Sequence, residues 1–152
     1  MLADDILRLV ILGALVFGVL LWAITALLSP VAGIWRDDDK IIKLVQIGPR
    51  LKGLCKHGDG FQTFNGWIFF GRIYLKRRDF GEQRLIDMGF EKVTLPLVNG
   101  QIMAYLSFKL NLEQTHLEGT FSGCRYTFSP NKQQILSISK SAPTKRVWQR
   151  QA

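Results

Sequence analysis

Cysteine and histidine are scarce, with two of each in 152 residues. So few cysteines exclude a disulfide-dense secreted scaffold. A second long apolar run is missing, which excludes a multi-span transporter or channel. No internal repeat and no low-complexity block is present. Catalytic signatures are missing as well. There is no Gly-x-Ser-x-Gly elbow and no His-Glu-x-x-His pair, and Gly58-Asp59-Gly60 lacks the Lys-Ser/Thr and helix of a phosphate-binding loop. Acidic residues are outnumbered, 12 against 20 Lys and Arg. Disorder throughout is excluded by ten Phe, four Trp and three Tyr within a chain that is 47% hydrophobic. A single soluble globule is excluded because the apolar residues gather near the N-terminus.

That gathering is a span. Leu9 to Leu28 carries no charge, and Thr25 is its one clearly polar side chain. A helix of this length covers roughly 30 Å, the thickness of the hydrocarbon layer. Ser29-Pro30 is a stop signal, because proline cannot continue a helix. A cleaved signal peptide needs a basic start and a shorter apolar core. Here the start is the acidic Met1-Leu2-Ala3-Asp4-Asp5, so a retained anchor is expected. Arg8 precedes the span, while Arg36, Lys40 and Lys43 follow it. That bias places the downstream domain on the cytoplasmic side of a single-pass membrane protein. Ala14 and Gly18, four apart, offer a small-xxx-small surface for helix packing. Ordinary lipid-facing composition is the preferred reading, because this pattern is common in apolar helices.

Beyond residue 30 the chain holds 19 Lys and Arg against 10 Asp and Glu. Its texture is β. Gln101 to Asn111 alternates cleanly, with Ile102, Ala104, Leu106, Phe108 and Leu110 on one face, which is a strand pattern. Val93 to Val98 reads as its hairpin partner across Asn99-Gly100, with Pro96 marking an edge. Further strands are expected at Lys40 to Ile47, Gly66 to Lys76, Leu117 to Ser122, Cys124 to Phe128 and Gln134 to Lys140. The Gly66 to Lys76 strand would place Trp67, Phe69, Ile73 and Leu75 on one side. One helix is expected at Phe80 to Met88, with Asp79 as N-cap and Gly89 just past its end. Lys56 to Asn65 is glycine-rich and reads as a loop. The expected fold is therefore a single N-terminal transmembrane helix followed by a small, mainly antiparallel β domain. That domain is a sandwich or partly open barrel of about six to eight strands with one short helix. The divisions are an anchor (1–30), a juxtamembrane linker (31–39), a β domain (40–140) and a basic tail (141–152).

Little in this set points to catalysis. His57 lies near Asp59, but no activated nucleophile accompanies them. Cys55, His57, His116 and Cys124 are the residue types of a tetrahedral zinc site. Their spacing matches no common zinc module, and buried thiols with surface imidazoles are the plainer reading. No cofactor is expected. Asp37-Asp38-Asp39 reads as a solvated linker and not as a calcium site. Basic and aromatic residues interleave from Trp67 to Arg78, a mixture that also serves single-stranded nucleic acid. An amphipathic strand with a packed aromatic face is preferred, and nucleic acid is not expected as a partner. The expectation is a non-enzymatic accessory or scaffold subunit of a larger membrane complex. Its partners would be other integral membrane proteins, an acidic protein surface or anionic lipid. The contact residues expected are Arg72, Lys76, Arg77 and Arg78 on the sheet, with Lys145, Arg146 and Trp148 in the tail. A membrane-tethered sensor that binds a ligand or zinc is the alternative.

Overall fold

The computed structural model describes residues 2–27 and 30–151, so the Leu28 end of the expected span and the Ser29 half of its stop signal lie outside the described residues. The helix α1 (Leu2–Leu27) comes first. Its Asp4–Ile24 portion is long and apolar enough to cross a bilayer, and it is not buried inside the fold.

Five strands follow as a meander: β1 (Gly33–Asp37), β2 (Lys40–Ile47), β3 (Arg50–His57), β4 (Gly60–Phe69) and β5 (Arg72–Phe80). Each pairs antiparallel with the next through a two-residue turn. At Phe70-Gly71 both turn residues have positive φ, 45° and 72°, which matches the twist of a tight hairpin. A helical connection then carries α2 (Glu82–Asp87), a 3₁₀ turn (Lys92–Thr94) and α3 (Leu95–Val98). The last strands are β6 (Ile102–Leu110), β7 (His116–Phe128), β8 (Ile135–Lys140) and β9 (Thr144–Arg150). β6 pairs with β5 and β7, and β9 pairs with both β7 and β1. The sheet thus closes into an eight-strand up-and-down barrel of β1 to β7 and β9. β8 pairs with the far end of β7 as one extra strand.

The alternation of side chains fills the barrel. Trp35, Ile42, Leu44, Leu51, Phe64, Ile68, Ile73, Leu75, Phe108, Leu117 and Trp148 are all nearly or wholly removed from solvent. Burial of each such side chain is worth about 1.5–3 kcal/mol. Trp148 meets Phe64 edge-on at 5.4 Å and lies against Phe108 at 4.6 Å. Two inward positions hold glycine because the sheet folds sharply there. A Cβ at Gly66 would lie 1.8 Å from the Tyr74 carbonyl oxygen, and one at Gly119 equally close to that of Ser107. Tight coiling of this kind closes a small barrel. A second cluster of Leu85, Leu95, Val98 and Met103 joins the helical connection to the barrel wall, with Tyr126 and Phe128 of β7 packed on it.

The N-terminal apolar helix, the antiparallel β domain, β2, β6 and β8 agree with the sequence expectations. Several local expectations are corrected. The segment 31–39 is not a plain linker, since β1 supplies a barrel strand and the buried Trp35. The segment 141–152 is not a tail, since it carries β9, which closes the barrel. Lys56 to Asn65 is the β3–β4 hairpin and not a loop. Val93 to Val98 is helical, so Asn99-Gly100 is no hairpin turn. Pro96 sits in the first turn of α3, where its missing N–H costs nothing. Gly66 to Lys76 is two strands around Phe70-Gly71, which turns Trp67 and Phe69 outward while Ile73 and Leu75 point in. Leu117 to Phe128 is one strand. The short helix is α2, with Gly81 at its N-cap, while Gly89 takes the expected positive φ of 92°.

Tyr126 ties the end of β7 to β6, since its hydroxyl donates to the Ile102 carbonyl at 2.6 Å. Burial pushes its phenol from the ordinary 10 up to about 12. The unfolded chain therefore ionises first as pH rises above 10, and stability falls between pH 10 and 12. Urea melts of the Tyr126→Phe variant should lose that alkaline fall. At neutral pH the same variant should be about 1 kcal/mol weaker for want of the hydrogen bond.

Candidate functional site

The barrel has two unlike ends. One lies where α1 meets it. The Trp22 indole donates to the Ile68 carbonyl at 2.6 Å, and its ring stacks on Trp67 at 6.3 Å. Val31 follows into the core, and its carbonyl accepts from the Trp35 indole at 2.9 Å. The turns β2–β3 and β4–β5 and the loop β6–β7 all lie at this end. Their tips are apolar and exposed: Ile47, Phe69, Phe70 and Leu112 are each more than half open to solvent. Phe70 stands at φ 45°, where a non-glycine side chain other than Asn or Asp is costly. Its ring touches Phe69 edge-on at 4.5 Å. Cations border these tips. Arg50 lies over the Trp67 ring at 4.7 Å, Arg72 reaches Ser107, and Lys109 is exposed, with Glu113 and Glu118 as the nearby acids.

The opposite end is a polar mouth. Asp79 of β5 is fully buried and takes three partners. Arg77 lies at 2.8 Å, Arg84 of α2 at 3.1 Å, and the Gln62 amide donates at 2.7 Å. Asp37 of β1 meets Arg146 of β9 at 2.8 Å, and Arg146 also reaches Asp38 at 3.2 Å. A cavity of about 180 Å³ lies among them, lined by Lys40, Arg77 and Arg146 and floored by Phe64, Phe121 and Trp148. The Trp148 Nε1 is buried and has no acceptor. Cys55 is buried close by. Burial pushes its thiol up, while Lys40 and Arg84 pull the other way. Burial likewise raises the Cys124 thiol. Both are thus held protonated and unreactive at neutral pH.

No family model, no curated protein and no solved structure matches this chain.

The residues singled out in the sequence fall in different places. Arg72, Lys76 and Arg78 alternate with the buried residues of β5 and face outward, as a contact surface needs. Arg77 does not join them. It points into the barrel mouth, because the period of two that exposes Lys76 and Arg78 turns it inward. Of the C-terminal set only Lys145 is exposed. Arg146 is held by Asp37, and Trp148 is 0% exposed in the core, so it contacts neither lipid nor partner. Ala14 and Gly18 lie on the unburied helix, and nothing in the fold comes within 4 Å of a Cβ placed at Gly18. Cys55 and His57 share the inner face near one end of β3. His116 and Cys124 are separated along β7, one at the helix side and one past Gly123. The four are therefore not brought together. Among the described residues no three of His, Cys, Asp and Glu gather as metal ligands. Both cysteines are free.

A third feature is an outer groove of about 600 Å³ across β4 to β7. Trp67, Tyr74, Lys76, Tyr105 and Lys140 line it, with the Lys140 ammonium 3.9 Å above the Tyr105 ring. Sequence reasoning found Trp67 and Lys76 of this set but missed the mouth and the apolar tips. The signal for the tips was present. Phe69-Phe70-Gly71 places aromatics in a turn, and Asn111-Leu112-Glu113 places leucine in a polar loop.

Proposed function

We propose that this protein is a non-enzymatic accessory module anchored in a membrane by α1. Its barrel rests on the anionic lipid surface by the helix-side rim. The observation that carries this reading is Phe70. The chain accepts a backbone conformation costing on the order of 1 kcal/mol or more in order to hold an aromatic ring out in solvent. That ring is 56% exposed, and among the described residues its one ring contact is Phe69. Lipid would cover it, together with Ile47, Phe69 and Leu112, and Arg50, Arg72 and Lys109 would meet the phosphates. The Trp22 contact supports the same picture, since it fixes this end of the barrel against the exit of the helix. The cations after α1 and the free thiols favour a cytoplasmic barrel. The outer groove, basic and aromatic, is left for a partner protein of the same membrane.

The test uses the full chain in vesicles of phosphatidylcholine and phosphatidylglycerol. Nitroxide labels are placed at Leu112→Cys or at Asp59→Cys, in a Cys124→Ser background. The Leu112 label should be relaxed by oxygen more than by a water-soluble nickel chelate, and the Asp59 label at the far end should show the reverse. Phe70→Asn suits the backbone better. It should hold or raise the melting temperature while making the Leu112 label more aqueous. A Leu112 label as aqueous as the Asp59 label would reject the docked rim.

A further inference from the structure

We infer that the polar mouth of the barrel is a binding site for a small organic monocarboxylate, a role beyond membrane attachment. Three observations meet there. The first is charge. Arg146 is occupied by Asp37 and Asp38, and Arg77 and Arg84 share Asp79, whereas no carboxylate lies within ion-pair distance of Lys40 among the described residues. Asp37, the register partner of Lys40, also lines the cavity, so the mouth holds four cations (Lys40, Arg77, Arg84 and Arg146) against three acids (Asp37, Asp38 and Asp79), a surplus of one that suits a single negative charge. The second is an unmatched donor. Trp148 is wholly buried and lines the cavity, and its Nε1 lacks an acceptor. An unmet buried donor costs about 1–3 kcal/mol. A carboxylate bound in the cavity would offer the indole N–H an acceptor and Lys40 a counter-charge, and the hydrogen bond to the anion would be charge-assisted.

The third observation is shape and polarity. The cavity of about 180 Å³ has the volume of about six water molecules at ~30 Å³ each. It holds a carboxylate with a short or ring-shaped body and excludes a nucleotide or a lipid chain. Its aromatic floor of Phe64, Phe121 and Trp148 offers an apolar surface for that body. Arg77 lies 5.3 Å from the Phe121 ring centre and is locked by Asp79, so it shapes the wall without supplying the vacant charge. The eight strands fix all of these groups, and the site is preformed.

Benzoate is the probe, because it combines one carboxylate with one flat ring. Full-length protein in detergent is titrated with benzoate while tryptophan fluorescence and melting temperature are followed. Saturable quenching with a raised melting temperature is expected. Benzamide, of the same shape without the charge, should produce neither. Lys40→Met and Trp148→Phe should each weaken binding at least tenfold, about 1.4 kcal/mol. Lys76→Met in the outer groove should leave it unchanged. Lys40 is at the mouth and outside the core, so its variant decides the matter if Trp148→Phe fails to fold. No saturation by about 10 mM, where binding would be worth less than ~3 kcal/mol, overturns the proposal. So does benzoate binding that survives Lys40→Met. The experiment contains no bilayer, and its failure would leave the lipid-docked rim standing.

Discussion

Asp79→Ala should be among the most damaging single changes in this protein, lowering stability by about 3–5 kcal/mol in urea melts followed by tryptophan fluorescence. The carboxylate is fully buried and holds two guanidiniums and an amide, each within about 3 Å. Arg77 and Arg84 are themselves only 14% and 11% exposed. Removing the acid leaves two poorly hydrated cations facing each other, and α2 loses its tie to the barrel. Asp79→Asn keeps the shape but not the charge, so it should be almost as harmful. A triple change of Asp79→Leu, Arg77→Met and Arg84→Met removes the charges together and should recover part of the loss. A loss below about 1 kcal/mol for Asp79→Ala would show that the cluster is wet and weak, as surface ion pairs are.

Gly66→Ala and Gly119→Ala should each cost more than about 3 kcal/mol, which lies in the upper range for one substitution. The new methyl group would press on a carbonyl oxygen of the neighbouring strand at 1.8 Å. No rotamer relieves a contact between Cβ and backbone, so the strands must separate where the barrel bends. Thermal unfolding in detergent should show the midpoint lowered by more than about 10 °C. Gly18→Ala is the control, because its Cβ meets nothing within 4 Å. The barrel transition should not move in that variant. A modest effect at both Gly66 and Gly119 would mean that the sheet can open at its corners.

The legible parts of the fold were those where one periodicity dominates. The twenty-residue apolar run needs only its length. β6 was legible because Ala104, Leu106 and Phe108 alternate inward, although Met103 on its other face is covered by the helical connection. β4 and β5 are hard to read because the two-residue turn at Phe70-Gly71 shifts the parity of the alternation, with even-numbered residues inward on β4 and odd-numbered ones inward on β5, and because apolar residues occupy both faces. β1 was hidden because Asp37-Asp38-Asp39 looks like a solvated linker, although its first acid is an ion-pair partner inside the mouth. β9 was hidden by its Lys and Arg, because its inward positions are Arg146 and Trp148 while Val147 faces out. The mouth itself draws on β1, β2, β4, β5, β6, β7 and β9. Residues as far apart as Asp37 and Arg146 meet there, and no local spacing announces such a meeting. Asp79 shows the same limit. As a helix cap it was plausible by position, but cross-strand pairing placed it in the interior, where two arginines from different elements converge.

The pairing of β1 with β9 governs how the protein can be made. β9 emerges last of the nine strands, and it must join the first. Until it arrives, β1 and β7 both present open edges, and the cavity left for Trp148 exposes the rings of Phe64 and Phe108. Closure across so much intervening chain is intrinsically slow. On the proposed reading, α1 has by then long been available for insertion, and the Trp22 contact would set the unfinished sheet beside the membrane surface. Such a tether would hold each nascent barrel apart from free diffusion during its most adhesive interval. Synthesis halted before residue 144 would leave an unclosed sheet with two unsatisfied edges, a substrate for proteolysis or for pairing with a neighbour.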